Sequence, residues 1–166
     1  MTSHDVLEIV LGLSAHGVRV WIDGGWCVDA LLGRQTRAHS DLDVAVARRD
    51  VDTLRGQLDA MGFVAVEREG NSDWCFVLRD ERHRQIDVHV FEYDAEGRNI
   101  YGIAYPFGSL TGQGVLDGQT VDCVNASSIF VFKTAYPPTE KDLRDVHALA
   151  ARFGFPIPAS HRPSGQ

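Results

Sequence analysis

Asp23-Gly24-Gly25-Trp26-Cys27-Val28-Asp29, followed by Gly33-Arg34-Gln35-Thr36-Arg37-Ala38-His39-Ser40-Asp41-Leu42-Asp43, is the stretch that decides the fold of this chain. It reads as the end of a short apolar strand (18–22), a glycine turn, a helix over 26–32 stopped by Gly33, a polar loop over 34–40, and a second strand over 42–46. Alternation along that second strand turns Asp41 and Asp43 to one face and Leu42, Val44 and Val46 to the other. Two neighbouring carboxylates repel, and burying them unpaired is costly. A hard divalent cation such as Mg²⁺, held by carboxylates and substrate phosphates, would resolve the conflict. Taken alone, Gly-Gly before a helix is a plain turn as readily as a phosphate cradle. Asp-Leu-Asp alone is likewise common on solvated strand edges. Asp87 is harder to dismiss, because it sits in the apolar run Gln85-Ile86-Asp87-Val88-His89 and shares a face with His89.

Outward from this core the pattern is α+β. Val6, Ile9, Val10 and Leu13 recur at helical spacing and predict an opening helix ending near Gly17. Val51, Leu54, Leu58 and Met61 predict another. Residues 63–66, 74–78 and 85–91 read as strands, with Glu81 to Arg84 as a hairpin turn. Residues 93–114 read as a long loop with short extended pieces. Val115-Leu116 and Thr120–Val124 read as a hairpin closed at Asp117-Gly118. Ser127 or Ser128 is expected to cap a helix running through Lys133, and Thr139 to start a final amphipathic helix. Pro156 and Pro158 are expected to end ordered structure. The division is residues 1–125 as one domain, 126–158 as a helical segment packed on it, and 159–166 as a flexible tail.

The bulk numbers fit one globular unit of 166 residues, 44% hydrophobic and 23% charged, with a formal net charge of −7. That balance, without a Lys/Arg-rich patch, argues against a long nucleic acid as partner. No apolar run is long enough for a membrane span. Cys27, Cys75 and Cys123 are odd in number and scattered, which suits a reducing, cytoplasmic setting better than a disulfide framework or zinc site.

The order Asp-Gly-Gly-Trp, Gly-Arg, Arg-x-His, Asp-x-Asp (Asp23 to Trp26, Gly33-Arg34, Arg37 to His39, Asp41 to Asp43) resembles small antibiotic nucleotidyltransferases of the polymerase-β-like superfamily. It is similar first to the lincosamide nucleotidyltransferases and then to the aminoglycoside 2″-nucleotidyltransferases. The resemblance is dense from Trp21 to Asp43 and fades after Asp87. It implies a small, mixed, twisted sheet flanked by helices. It also implies transfer of a nucleoside monophosphate from a nucleoside triphosphate, ATP first, to a hydroxyl of a small cationic acceptor, with release of pyrophosphate.

By the same resemblance, Asp41, Asp43 and Asp87 would hold two Mg²⁺ ions, with Asp87 also the candidate general base. Gly24 and Gly25 would present amides to the triphosphate, Gly25 replacing the serine more common in the superfamily. Arg37 and His39 are expected at the triphosphate or nucleotide sugar; the alternatives are a loop pin for Arg37 and a loop-capping role for His39. Lys133 is either a phosphate contact or solvated helix surface, and Lys141 reads as an ordinary ion pair with Asp145. His89 is expected to orient Asp87 or to be a satisfied strand residue. Aromatic residues including Trp74 and Tyr136 are candidates to line an acceptor site. Small members of the family imply a homodimer. The rival readings are a toxin–antitoxin type enzyme acting on a protein or tRNA, and a catalytically silent nucleotide-binding module.

Overall fold

The strand bearing Asp41 and Asp43, β2 (Asp41–Ala47), sits at the centre of the sheet because Leu42, Val44 and Val46 must be dry. All three are fully buried, as are Ile86 and Val88 on the neighbouring strand β5 (Gln85–Tyr93). The computed structural model describes residues 1–162. Around these two strands lie β1 (Val20–Ile22), β3 (Val64–Val66), β4 (Cys75–Arg79), β6 (Asn99–Gly102), β7 (Gly112–Leu116) and β8 (Gln119–Cys123). They form one mixed sheet in the order β3-β4-β5-β2-β1-β8-β7, with β6 continuing past β4 on the outer edge of β5.

The β2–β5 pair is parallel, so the chain must cross over between them. It does so through helix α3 (Val51–Ala60) and the β3–β4 hairpin. The parallel register sets Leu42 beside Ile86, Asp43 beside Asp87 and Ala45 beside His89. One face of the central strands is therefore continuously apolar, and the other carries the carboxylates.

Helix α1 (Ser3–Ala15) opens with a capping box between Thr2 and Asp5 and packs against α3. Helix α2 (Gly24–Leu32) packs on β2, β7 and β8. Helices α4 (Ala126–Thr134) and α5 (Glu140–Phe153) pack on each other and on α2, which brings the last two helices to the carboxylate end of the sheet. The β7–β8 hairpin closes at Asp117-Gly118, both at positive φ (46° and 81°), the two-residue turn expected there.

The structure departs from the sequence reading in several places. Helix α2 begins at Gly24, with Asp23 as its N-cap, so the glycine pair forms the helix's first turn. Asn125, not Ser127 or Ser128, caps α4, its side chain accepting from the Ser128 amide at 2.9 Å. The stretch 93–114 contains β6, which pairs with β5, and the start of β7. Order does not end at Pro156: Phe155 and Ile157 pack on the core and His161 is buried in a short 3₁₀ turn. The remainder of the expected tail, 163–166, lies outside the described residues.

Candidate active site

The site starts where β1 ends. The Asp23 amide donates to the Asp43 carbonyl at 2.9 Å, welding the end of β1 to β2. The Asp23 carboxylate accepts from the Gly24 amide at 2.7 Å and from the Tyr105 hydroxyl at 2.6 Å, with His89 Nδ1 at 3.9 Å. Burial alone would raise the Asp23 carboxyl. The nearby His89 ring and the hydrogen bonds from Tyr105 and the Gly24 amide outweigh it and hold the group below the usual carboxylate range. Asp23 is thus a satisfied carboxylate.

Asp43 is the opposite case. Burial pushes its carboxyl up to about 7; the charges of Asp23, Asp41 and Asp87 push the same way, against the partial relief of His89. Neighbouring carboxylates without enough cation between them behave so. Asp87, beside Asp43 in register, is buried, and its two oxygens accept from Arg68 Nη1 at 3.0 Å and Gln85 Nε2 at 2.9 Å. Arg68 comes from the β3–β4 loop and its side chain is half exposed. His89 does not bond Asp87; it faces Asp23 and the Tyr105 hydroxyl. Competing effects act on its ring: burial lowers the pKa, while Asp23, Asp43 and Asp87 raise it, and the net shift is upward.

Across from these strands stands a second bank made by the loop 34–40, α4 and α5. Arg37 makes a two-point contact with Asp145, Nε to Oδ1 at 2.9 Å and Nη2 to Oδ2 at 2.8 Å. Lys133 Nζ meets the same carboxylate at 2.8 Å and lies 3.8 Å from Asp142. Asp142 also accepts from the Tyr136 hydroxyl (3.0 Å) and the Thr139 hydroxyl (2.5 Å). Burial would raise Asp145, but the Arg37 hydrogen bond and the Lys133 charge hold it low. Lys133 is therefore neither solvated nor free. Lys141 is not the partner of Asp145 that its spacing suggests, because Arg37 and Lys133 already take that carboxylate.

His39 is buried, its Nε2 2.5 Å from Asp29, and its ring lies 4.5 Å from that of Trp26. Asp29 also accepts from the Thr36 amide and hydroxyl, so it organises the whole loop from α2 to β2. The close approach explains the glycines. A Cβ at Gly25 would lie 2.4 Å from His39 Nδ1 and 2.5 Å from Arg37 Nη2, and one at Gly24 would overlap the Asp43 carboxylate.

Between the two banks opens a cleft of about 1270 Å³. Asp41, Asp43, Gly24, Gly25, Arg37, His39 and Lys133 all line it. Asp87 does not; it stands behind Asp43 with Arg68 over it. Among the described residues no three acidic, histidine or cysteine side chains already converge tightly enough to enclose a metal ion. Asp41 and Asp43 offer hard oxygen donors to the cleft, and Asp87 would join them once Arg68 withdrew. Arg68 escaped the sequence reading, and so did the contacts that Asp23, Tyr105 and Asp145 make here: the sequence places Asp23 only in the glycine-turn motif, Tyr105 only among the candidates to line an acceptor site, and Asp145 only as a partner for Lys141. Only Asp23 had a local signal, an aspartate just ahead of a helix.

The profile of the aminoglycoside-2″-adenylyltransferase family matches residues 5–149. A lincosamide resistance protein of Staphylococcus haemolyticus is 26% identical over 152 residues, which cover 86% of this chain and 91% of that protein. A 2″-aminoglycoside nucleotidyltransferase of Klebsiella pneumoniae is 39% identical over 144 residues, covering 80% and 75%. Among solved structures, the lincomycin-bound lincosamide antibiotic adenylyltransferase LnuA matches with a TM-score of 0.78 at 21% identity, covering 91% of this chain and 98% of that one. ANT(2″)-Ia in complex with adenylyl-2″-tobramycin matches with a TM-score of 0.74 at 23% identity, covering 92% and 89%. These two matches establish the polymerase-β-like nucleotidyltransferase fold.

Proposed function

The chain belongs to the aminoglycoside-2″-adenylyltransferase family of nucleotidyltransferases, and from that premise we propose that it transfers a nucleoside monophosphate, from ATP first, to a hydroxyl of a lincosamide or aminoglycoside, with pyrophosphate leaving. The observation that carries this reading is Asp43, set in register with Asp87 and lifted to about 7 for want of a cation, at the wall of a cleft whose other bank bears Arg37 and Lys133. A divalent cation fits that donor set, and Asp41, Asp43 and Asp87 would hold it. Divalent cations supply charge neutralisation of the triphosphate and acidify the attacking hydroxyl.

The chain's own groups do the rest. The first-turn amides of α2 meet phosphate oxygens with the positive end of the helix. Lys133 and Arg37 add positive charge where the leaving pyrophosphate gathers negative charge. Asp87, released from Arg68, accepts the proton of the acceptor hydroxyl as its oxygen bonds to the α-phosphorus and the bond to pyrophosphate breaks. His39 holds Gly25 and the loop in place rather than touching the reacting atoms.

The test is pyrophosphate release from ATP with Mg²⁺ and a panel of lincosamides and aminoglycosides. Turnover with at least one of these acceptors, reduced about 10³-fold in Asp87→Asn, is the expected result. Label transferred instead to a protein or tRNA would replace this acceptor class with a macromolecule. Binding without turnover on any acceptor would leave only a nucleotide-binding module. The homodimer belongs to the same proposal, and sedimentation showing only monomer at micromolar concentration would remove it.

A further inference from the structure

Asp87 already has a cation from its own chain, attached quite unlike the arginine across the cleft. Arg37 is nearly buried and grips Asp145 with two nitrogens. Arg68 reaches Asp87 Oδ2 through Nη1 alone, at 3.0 Å, with its side chain 47% exposed. Asp87 is its one ion-pair partner among the described residues. The other oxygen of Asp87 is held more firmly. Gln85 Nε2 donates to Oδ1 at 2.9 Å, and the Gln85 side-chain oxygen accepts from Arg79 at 2.5 Å, which fixes the amide. One oxygen is thus positioned by a braced amide, and the other is closed by a single guanidinium that water reaches.

The turn that delivers Arg68 leaves only its side chain to move. The Asn71 amide donates to the Arg68 carbonyl at 3.1 Å, with Gly70 at positive φ (89°) between them, and Asn71 Nδ2 donates to the Val66 carbonyl at 2.7 Å. Glu67 and Glu69 flank Arg68 and line one surface hollow with it. A guanidinium leaving Asp87 therefore swings among water and acidic neighbours, and a single-point, half-exposed ion pair is weakly held. While it stays, Asp87 is kept off the cleft wall that Asp41 and Asp43 line.

We propose that Arg68 is a displaceable stand-in for the divalent cation at Asp87: it holds the third carboxylate in place while the cleft is empty and competes with metal for Oδ2. The proposal rests on the nucleotidyltransferase reading above and adds how the site is loaded. Two cations on one carboxylate oxygen repel, so metal bound at Asp87 and the Arg68 contact exclude each other. Bare metal must displace Arg68 with carboxylates and water as its only ligands. Metal arriving with a nucleoside triphosphate also brings phosphate oxygens. Arg68 thereby biases the cleft against bare metal and toward the metal–nucleotide complex. It touches no reacting atom and acts through Asp87, as a positioning residue.

Binding of Mn²⁺ to the nucleotide-free protein, followed by electron paramagnetic resonance, reads this competition, because Mn²⁺ takes the same oxygen donors as Mg²⁺. Arg68→Ala and Arg68→Gln should bind Mn²⁺ about fivefold tighter or more than wild type, the gain expected when a competing closed state is removed. Arg68→Lys should stay closer to wild type, since an ammonium can take the same seat. In an Asp87→Asn background, Arg68→Ala should change Mn²⁺ affinity by less than about twofold. Unchanged Mn²⁺ affinity in both Arg68→Ala and Arg68→Gln would overturn the proposal. So would an equal gain in the Asp87→Asn background, which would reduce Arg68 to a general positive field over the cleft. Mn²⁺ with a non-hydrolysable ATP analogue separates the two levels. If wild type binds that complex and the Arg68 variants leave bare Mn²⁺ affinity unchanged, only the stand-in role fails. If wild type binds neither, the nucleotidyltransferase reading fails and this proposal with it.

Discussion

Asp43, half-buried on the wall of the cleft, and Asp145, fully buried behind Arg37 and Lys133, sit in opposite electrostatic states. Asp145 is fully buried, shared by Arg37 and Lys133, and held below the ordinary carboxylate range. Asp43 is beside Asp41, Asp87 and Asp23 and is lifted to about 7. One bank is balanced within the chain and the other is left with excess negative charge. The lesson is that burial of an acid says little by itself; what distinguishes scaffold from chemistry is whether the chain supplies the counter-charge.

The harshest way to break this contrast is Asp145→Asn. The side chain keeps its shape but leaves two nearly buried cations undercompensated, which should cost about 3 kcal/mol of folding stability. A domain of this size would then melt roughly 6–12 °C lower, measurable by calorimetry. An unchanged melting temperature would show that the balanced bank is not a structural element.

Gly25→Ser tests how tightly the banks are joined. Its Cβ would collide with His39 and Arg37, and since the His39 ring is locked to Asp29 the strain has no easy outlet. A loss of about 1–3 kcal/mol is expected in urea unfolding, although serine is the commoner superfamily residue there. A neutral result would mean that the loop 34–40 can slide aside.

The smallest effect concerns pH. The folded pKa of Asp43 is raised, so between about 4 and 7 the folded state holds a proton that the unfolded state releases. Its contribution to stability is therefore greatest at low pH and is lost as pH rises through that window. Relative to wild type, Asp43→Asn should gain roughly 1–2 kcal/mol between pH 4 and pH 7.5 without metal. Millimolar Mg²⁺ should raise the wild-type melting temperature and narrow the gap. A difference independent of pH would show that Asp43 titrates normally.

How legible these two banks were differs in an instructive way. The acidic bank is written in strand alternation: Asp41 and Asp43 are two apart, and Asp87 occupies the same kind of apolar run. Only the register placing Asp43 beside Asp87 had to come from the fold. The balanced bank is nearly invisible in sequence, because Arg37 and Asp145 lie 108 residues apart and no local pattern reports that pairing. Spacing even misled, pointing Lys141 at Asp145. Likewise β6 was lost in a stretch rich in glycine and polar residues, since its pairing partner β5, not its own composition, makes it a strand. The role of Tyr105 could not be read for the same reason: its hydroxyl meets Asp23 across 82 residues.

The buried His161 carries one more consequence. Its ring bonds the backbone carbonyl of Lys133 at 3.2 Å, while its own carbonyl meets the His147 ring at 2.8 Å. The chain thus returns after α5 and fastens itself to the helix that presents the cleft's lysine. Trimming the protein just past α5 to obtain a tidier crystallisation target would unclasp that helix, so purification handles and shortened versions should leave everything through His161 intact.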